Sequence, residues 1–429
     1  MSLEKVQLQN GLTLYHDRIP GEQTNGVTMF VPYGSVNETA GDEGTAHALQ
    51  CASSLETDDF ATEMALNKYA KLNGMVIVAE ASYTNTLYSA NGLCLEPNFV
   101  YLSQVLQHPH LPKDKITTEI DSIRREAIAS LNDTDTMHTI AAENAMFGVP
   151  FGRSTIGFHD KLDFDADQLQ ALHRRHYKLG RMSLIVSGKA KLDETIELAE
   201  RYFEHNSEPH MAHDEPATIR NLGIHHTTGL FRNDSENVRI QVSYPMAPEF
   251  RKLYLSNRLA FDIARLAISN ACFQSLRYDK GVSYNGSIEP LVSDNHPDAW
   301  SVSGNVTTDK ENIGIALGVF DDIFSREGHS YTDDSIVGVL AKIKYMLSKN
   351  LATVGRRTYA HTSRLESQLE PQDLSVNRRK LSKLTISDIR TAVDHITQHA
   401  MTTPKYTHLT GKRAAIGDVE RIIESSEIA

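Results

Sequence analysis

Apolar and polar residues alternate through Val6-Gln-Leu-Gln-Asn-Gly-Leu-Thr-Leu-Tyr15, with Asn10-Gly11 at the centre. Alternation predicts strands and Asn-Gly predicts a tight turn, so the chain opens as a β-hairpin. The run Gly26-Val-Thr-Met-Phe-Val31 reads as a strand leading to Gly34-Ser35, and Tyr83–Tyr88 as a further strand. From Leu95 to Gln107 and from Lys113 to Leu131 the apolar period lengthens to that of a helix. Leu162–Lys189 reads as a helix around Asp167, a basic turn, and a strand ending at Gly188. The same succession returns at Leu384–Arg413, and each copy is followed by a helix with an acidic start, near Leu192–Phe203 and Gly417–Ser425. Two copies about half a chain apart predict an α+β protein of two homologous halves. Each half is expected to hold about four to six antiparallel strands with helices on one face. The expected boundaries are residues 1–205, a linker at 206–223 with two prolines, and residues 224–429.

Composition narrows the partners. The chain has 429 residues, of which 40% are apolar, enough for more than one packed core. No run approaches the ~18 apolar residues that would cross a bilayer, so no membrane partner is expected. A net charge of −12 argues against nucleic acid as the main partner. Three cysteines, Cys51, Cys94 and Cys272, are too few for a disulfide framework. With no apolar signal core or arginine-rich presequence at the start, the expected compartment is the cytoplasm.

The informative stretch is Gly44-Thr-Ala-His-Ala-Leu-Gln-Cys-Ala52. An inverted zinc motif, H-x-x-E-H, would carry histidine, glutamate and histidine at positions 47, 50 and 51. This chain has His47, Gln50 and Cys51. An amide at 50 cannot take a proton from water at neutral pH, so hydrolysis by this site alone is not expected. His47 and Cys51 are four apart on one helix face. Either Cys51 fills apolar space beside a relic histidine, or the two residues and a carboxylate make a His/Cys/Glu metal site. Glu119 and Glu126, seven apart in a helical run, share a face.

This order of features resembles the pitrilysin/insulinase family of zinc peptidases, in particular its half-length subunits such as those of the mitochondrial processing peptidase. Pro150–Gly157, Arg181–Gly188 and Ser275-Leu-Arg-Tyr-Asp-Lys-Gly-Val-Ser-Tyr284 are similar to family segments, the last to the signature L-R-E-x-x-G-L-x-Y. The resemblance places Glu126 at the third zinc ligand and Glu119 at the carboxylate behind it. It puts Val78-Ala79 where the family has Asn-Ala on the strand lining its site, ahead of Thr86-Leu-Tyr88. It makes Arg277 and Tyr284 the arginine and tyrosine that face a zinc across a closed chamber. There the phenol serves the oxyanion and the guanidinium the peptide backbone.

The resemblance therefore implies a zinc-less subunit of a heterodimeric clamshell peptidase. Its paralogous partner would carry the zinc, and this chain no cofactor of its own. It would supply Arg277, Tyr284 and half of a chamber for unfolded peptides, with a strand edge that pairs with the peptide. The alternative is a structural or peptide-binding scaffold, either a homodimer or a core subunit of a larger complex.

Overall fold

The computed structural model describes residues 3–148, 151–203, 226–231, 236–283, 287–289, 300–325, 333–350 and 353–412. Strands β1 (Glu4–Gln7), β2 (Thr13–Arg18), β3 (Asn25–Val31), β4 (Val76–Ala81), β5 (Thr86–Gly92) and β6 (Ser183–Gly188) form one sheet, in the order β1-β2-β6-β3-β5-β4. Strands β7 (His226–Phe231), β8 (Val238–Pro245), β9 (Ser287–Glu289), β10 (Ser301–Thr308) and β11 (Tyr406–Gly411) form a second, in the order β7-β11-β8-β10-β9. The first seven helices are α1 (Thr45–Ala52), α2 (Glu63–Leu72), α3 (Glu96–Gln107), α4 (Lys113–Asn132), α5 (Thr134–Phe147), α6 (Ala166–His176) and α7 (Leu192–Tyr202). Then come α8 (Pro248–Ser256), α9 (Arg258–Gln274), α10 (Ile313–Phe324), α11 (Asp333–Asn350), α12 (Val354–Glu366), α13 (Ser375–Lys383) and α14 (Ile386–Thr402). No described helix is long and apolar enough to cross a membrane.

The opening hairpin forms as its sequence predicts. Gly11 takes φ +87°, open to glycine, and the Asn10 side chain accepts from the Leu12 amide at 3.1 Å. The strand expected at Tyr83–Tyr88 begins only at Thr86. Ser82 and Asn85 close a turn before it, the Ser82 amide donating to the Asn85 carbonyl at 2.8 Å.

Without β1, the two sheet orders are one topology used twice. The expected α+β architecture is present, with two differences. Each sheet contains one parallel pair, β2–β6 and β7–β11, among otherwise antiparallel neighbours. The closing strand of each half returns through helices, and such a crossover is long enough to bring it back parallel. Helices also lie on both faces of the first sheet. Leu14, Val27, Met29, Val31, Leu184 and Val186 belong to the main core of the first half. The alternate residues Tyr15, Phe30 and Ile185 face the other way and pack with Leu365 of α12.

That helix comes from the far half of the sequence. The chain divides into two units, the first made of Met1–Ser130, Ser154–Thr218 and Ser348–Val376, and the second of Leu131–Arg153, Ile219–Leu347 and Asn377–Ala429. Helix α12 thus packs in the first unit against β3 and β6, while α5 packs in the second against β7, β8 and β11. The linker expected at 206–223 and the helix near Gly417–Ser425 lie outside the described residues.

Helix α12 is fixed by a buried charge cluster. Arg357 donates twice to the Asp17 carboxylate on β2, Nε to Oδ2 at 2.8 Å and Nη2 to Oδ1 at 2.6 Å. His361 Nε2 donates to Asp17 Oδ2 at 3.0 Å. Burial pushes the Asp17 carboxyl up, but hydrogen bonds from His361 and Arg357, with their charges, hold it below the usual value. At the rim, Lys5 pairs with Glu370.

Removing one partner of a buried pair leaves the other charge uncompensated. Arg357→Met is therefore expected to lower unfolding stability by about 3 kcal/mol. Asp17→Asn in the Arg357→Met background should cost much less than it does alone. Denaturant unfolding of the two single variants and the double variant measures the coupling.

Candidate functional site

Helix α1 carries the decayed motif, and its start is built with care. Its N-cap is Gly44 at φ +89°, which supplies no side-chain cap. A Cβ there would stand 2.5 Å from Leu162 Cδ2 and 2.6 Å from the Ile156 carbonyl, so glycine is required on two grounds. The missing cap comes from Glu38, whose carboxylate accepts from the Ala46 amide at 2.9 Å and the Gly44 amide at 3.0 Å. A buried carboxylate at the positive end of a helix satisfies its free amides and opposes its dipole. Tyr33 adds a hydroxyl contact to Thr45 Oγ1 at 2.8 Å. No sequence period signals Glu38; its spacing to a glycine-started helix was the available clue.

On this frame the structure brings His47, Gln50, Cys51, Glu119 and Glu126 to one place. His47 is buried, and its Nε2 stands 3.7 Å from Glu126 Oε2 on α4. Burial lowers the affinity of His47 for a proton, while the Glu126 charge pulls it back up. The Cys51 thiol reaches Gln50 Oε1 at 3.9 Å and packs on the first-half core. Burial, then the charges of Glu119, Glu126 and Glu63, pushes that thiol up to about 12, so it stays protonated at neutral pH. Burial raises the Glu119 carboxyl too, reinforced by Glu63 and Glu126.

The residues present do not fit a catalytic zinc. The base position is an amide, one imidazole has become a thiol, and three carboxylates surround that thiol. Among the described residues, no group of three or more histidine, cysteine, aspartate and glutamate side chains is placed to hold a metal ion. The His/Cys/Glu metal reading and the reading of Cys51 as a filler of apolar space are told apart by zinc loading, below.

Beside α1 runs β4, the last strand of its sheet and, among the described residues, paired on one side only, to β5. Val78 pairs with Ser89, and Ala79 with the buried Tyr88. Val76 and Val78 are 64% and 53% exposed, an apolar strip along a free edge. Edges of this kind are where an extended peptide adds a strand.

Arg277 lies in the second unit, where α9 ends in a π-helical turn, Ser275–Asp279. The Lys280 amide closes that wide turn on the Ser275 carbonyl at 2.9 Å, and the buried Leu276 anchors it. The half-buried Arg277 guanidinium lies over Phe273 and Tyr278, 5.4 and 5.3 Å from their ring centres. Sequence reasoning missed both rings, although aromatic residues four before and one after an arginine were a legible signal. A π turn is uncommon and tends to occur at functional positions. Tyr284 lies outside the described residues.

Comparison with known proteins gives the family and the fold. The model described as "Insulinase (Peptidase family M16)" matches residues 15–156, and "Peptidase M16 inactive domain" matches residues 163–341. The chain belongs to the M16 peptidase family. It is 30% identical over 208 residues to the mitochondrial-processing peptidase subunit beta of Neurospora crassa, a match spanning 47% of this chain and 43% of that protein. The aligned region thus covers less than half of that relative. It is 22% identical over 284 residues to an uncharacterized zinc protease of Rickettsia bellii, spanning 65% of this chain and 67% of that protein. In fold it matches the peptidase M16 inactive domain from Pseudomonas fluorescens with a TM-score of 0.79 at 13% identity, covering 96% of this chain and 98% of the other.

The 3.7 Å gap from His47 to Glu126 is close to the ~3.4 Å between two donors of one tetrahedral zinc. After zinc loading and desalting, the wild-type chain is expected to retain far less than one equivalent by elemental analysis. The double variant Gln50→Glu, Cys51→His should approach one equivalent and lose it again with Glu126→Gln. A full equivalent in the wild type, abolished by His47→Ala, would contradict this account of the site.

Proposed function

We propose that this chain is the zinc-less subunit of a two-chain M16 peptidase acting on unfolded peptides. The observation that carries the proposal is the pairing of a site without its base with an Arg277 packed against two aromatic rings. The partner would be a paralogue with an intact H-x-x-E-H, supplying the zinc, its ligands and the glutamate base. Arg277 and Tyr284 would serve the partner's zinc, the guanidinium on the peptide backbone and the phenol on the developing oxyanion. The free edge of β4, with Val76 and Val78 exposed, supports peptide binding by strand addition. The likeness to a protein named as a processing-peptidase subunit supports a subunit role. The three free cysteines suit a reducing compartment, which we take to be the cytoplasm.

The scaffold reading draws on one observation, the replacement of the base by Gln50. A reconstitution separates the two readings. This chain and a paralogue bearing H-x-x-E-H are assayed on an unstructured peptide, alone and mixed. Cleavage is expected only in the mixture, reduced on the order of a hundredfold by Tyr284→Phe, as for loss of an oxyanion donor. Arg277→Ala should act chiefly through peptide affinity. Complexes that form but cleave equally well with both variants would favour the scaffold.

A further inference from the structure

The second unit contains a recess between α8, α9 and α14. It holds about 320 Å³ not filled by atoms, part of it open to solvent. Its walls are Phe250 and Tyr254 of α8, Phe261 and Ile268 of α9 and Ile396 of α14, with Arg265 among them.

An arginine is out of place on that wall. Phe261, Arg265 and Ile268 stand at i, i+4 and i+7 of α9, so they share the face that meets the core. Phe261 and Ile268 are buried there, and Arg265 is half-buried. Among the described residues, no hydrogen bond or ion pair reaches its guanidinium. Asp262, three residues earlier, is already engaged. Its carboxylate accepts from the Tyr254 hydroxyl at 2.7 Å and stands 3.8 Å from Arg258 Nε. A guanidinium drawn partly out of water favours an acceptor that can replace it.

The neighbourhood has a surplus of cations. Helix α8 and the first half of α9 carry Arg251, Lys252, Arg258 and Arg265 against Glu249 and Asp262. Arg251 lies over the ring of Trp300 at 5.0 Å. Trp300 is buried and packs on Tyr254 at 5.4 Å, and its Nε1 finds no acceptor among the described residues. On α14, His399 stacks on Phe250 and donates from Nε2 to the Pro245 carbonyl at 2.9 Å, while His395 stacks on Phe261.

We propose that this recess binds a monocarboxylate with a slim apolar tail. The tail lies among Phe250, Phe261, Ile268 and Ile396, and the carboxylate meets Arg265. Apolar walls with one charged group fix both parts of such a molecule. The guanidinium offers a carboxylate two parallel N–H donors, a match that an alcohol or an amine does not make. The recess is narrow, which suits an unbranched chain of medium length over a ring. This proposal is independent of the peptidase reading, because it concerns neither α1 nor the Arg277 turn.

Octanoate is the probe, and Trp300 reports on it, being the single tryptophan of the chain and in contact with Tyr254. Added to the full-length protein below its micelle concentration, octanoate is expected to change the Trp300 emission saturably, with one site by equilibrium dialysis. Octanol, the same chain without the charge, should bind roughly tenfold more weakly. Arg265→Gln should bring octanoate down to the level of octanol and leave octanol unchanged. Ile396→Phe, which fills the recess, should abolish binding of both, and Met246→Phe serves if that variant does not fold. Equal binding of octanoate and octanol by the wild type would mean that Arg265 only lays its stem along the wall, and would overturn the proposal. Octanoate binding that survives the filled recess, or the absence of a saturable site, would overturn it as well.

Discussion

A carboxylate buried on the face of a sheet must find a cation, and Asp17 finds its own 340 residues away, in Arg357. Much of the architecture depends on that contact. It fixes α12 on the outer face of β3 and β6, over Tyr15, Phe30 and Ile185, which would otherwise face water. It also makes the first unit discontinuous in sequence. The second unit repeats the arrangement with different chemistry, for there His138 of α5 lies against His408 of β11, their rings 4.9 Å apart, with the Thr410 hydroxyl in reach of both. The same topological need, a helix from the other half to cover one sheet face, is met once by a buried ion pair and once by buried histidines with an ion pair, Asp135 to Arg239, at the rim.

Around α1 the frame has outlived the reaction it resembles. Gly44, Glu38, Tyr33 and Thr45 still set the position of the helix to within hydrogen-bond tolerance. What has changed lies at two side chains, Gln50 and Cys51. Loss of a base does not loosen a fold when the residues that place the helix are distinct from those that face the substrate. Here they are distinct, since the cap acts on backbone amides at the helix start and the chemistry belongs one turn further on. The first site can therefore be inert while its edge strand and core remain fully formed.

The sequence made the hairpin, α3, α4 and the duplicated helix–strand closures legible because each is a local period. It hid the exchanged helices for a physical reason. The residues that α12 buries include Arg357, Thr358, His361 and Thr362, so the helix reads as a solvated polar face. Its burial rests on pairing with Asp17, which no local pattern reports. His138 was hidden in the same way. Of the site residues, His47, Gln50 and Cys51 were legible through motif spacing, and Glu119 and Glu126 joined them through the family resemblance. Glu38 was not, because its role depends on a helix start that exists only in three dimensions, and the two rings beside Arg277 gain their role from a π turn that no period announces. The parallel pairs were missed because strand direction is set by the path of the crossover, and periodicity carries no sign.

The reach of the Asp17–Arg357 contact has a meaning for how the chain is made. All six strands of the first sheet are complete once Gly188 has been synthesised, yet α12 ends only at Glu366. At ~5–20 residues per second, the sheet waits roughly nine to thirty-six seconds on the ribosome with Tyr15, Phe30 and Ile185 uncovered and Asp17 without its cation. A nascent chain in that interval is a target for chaperones, and a ribosome that stalls between the two points leaves a sheet that cannot finish folding.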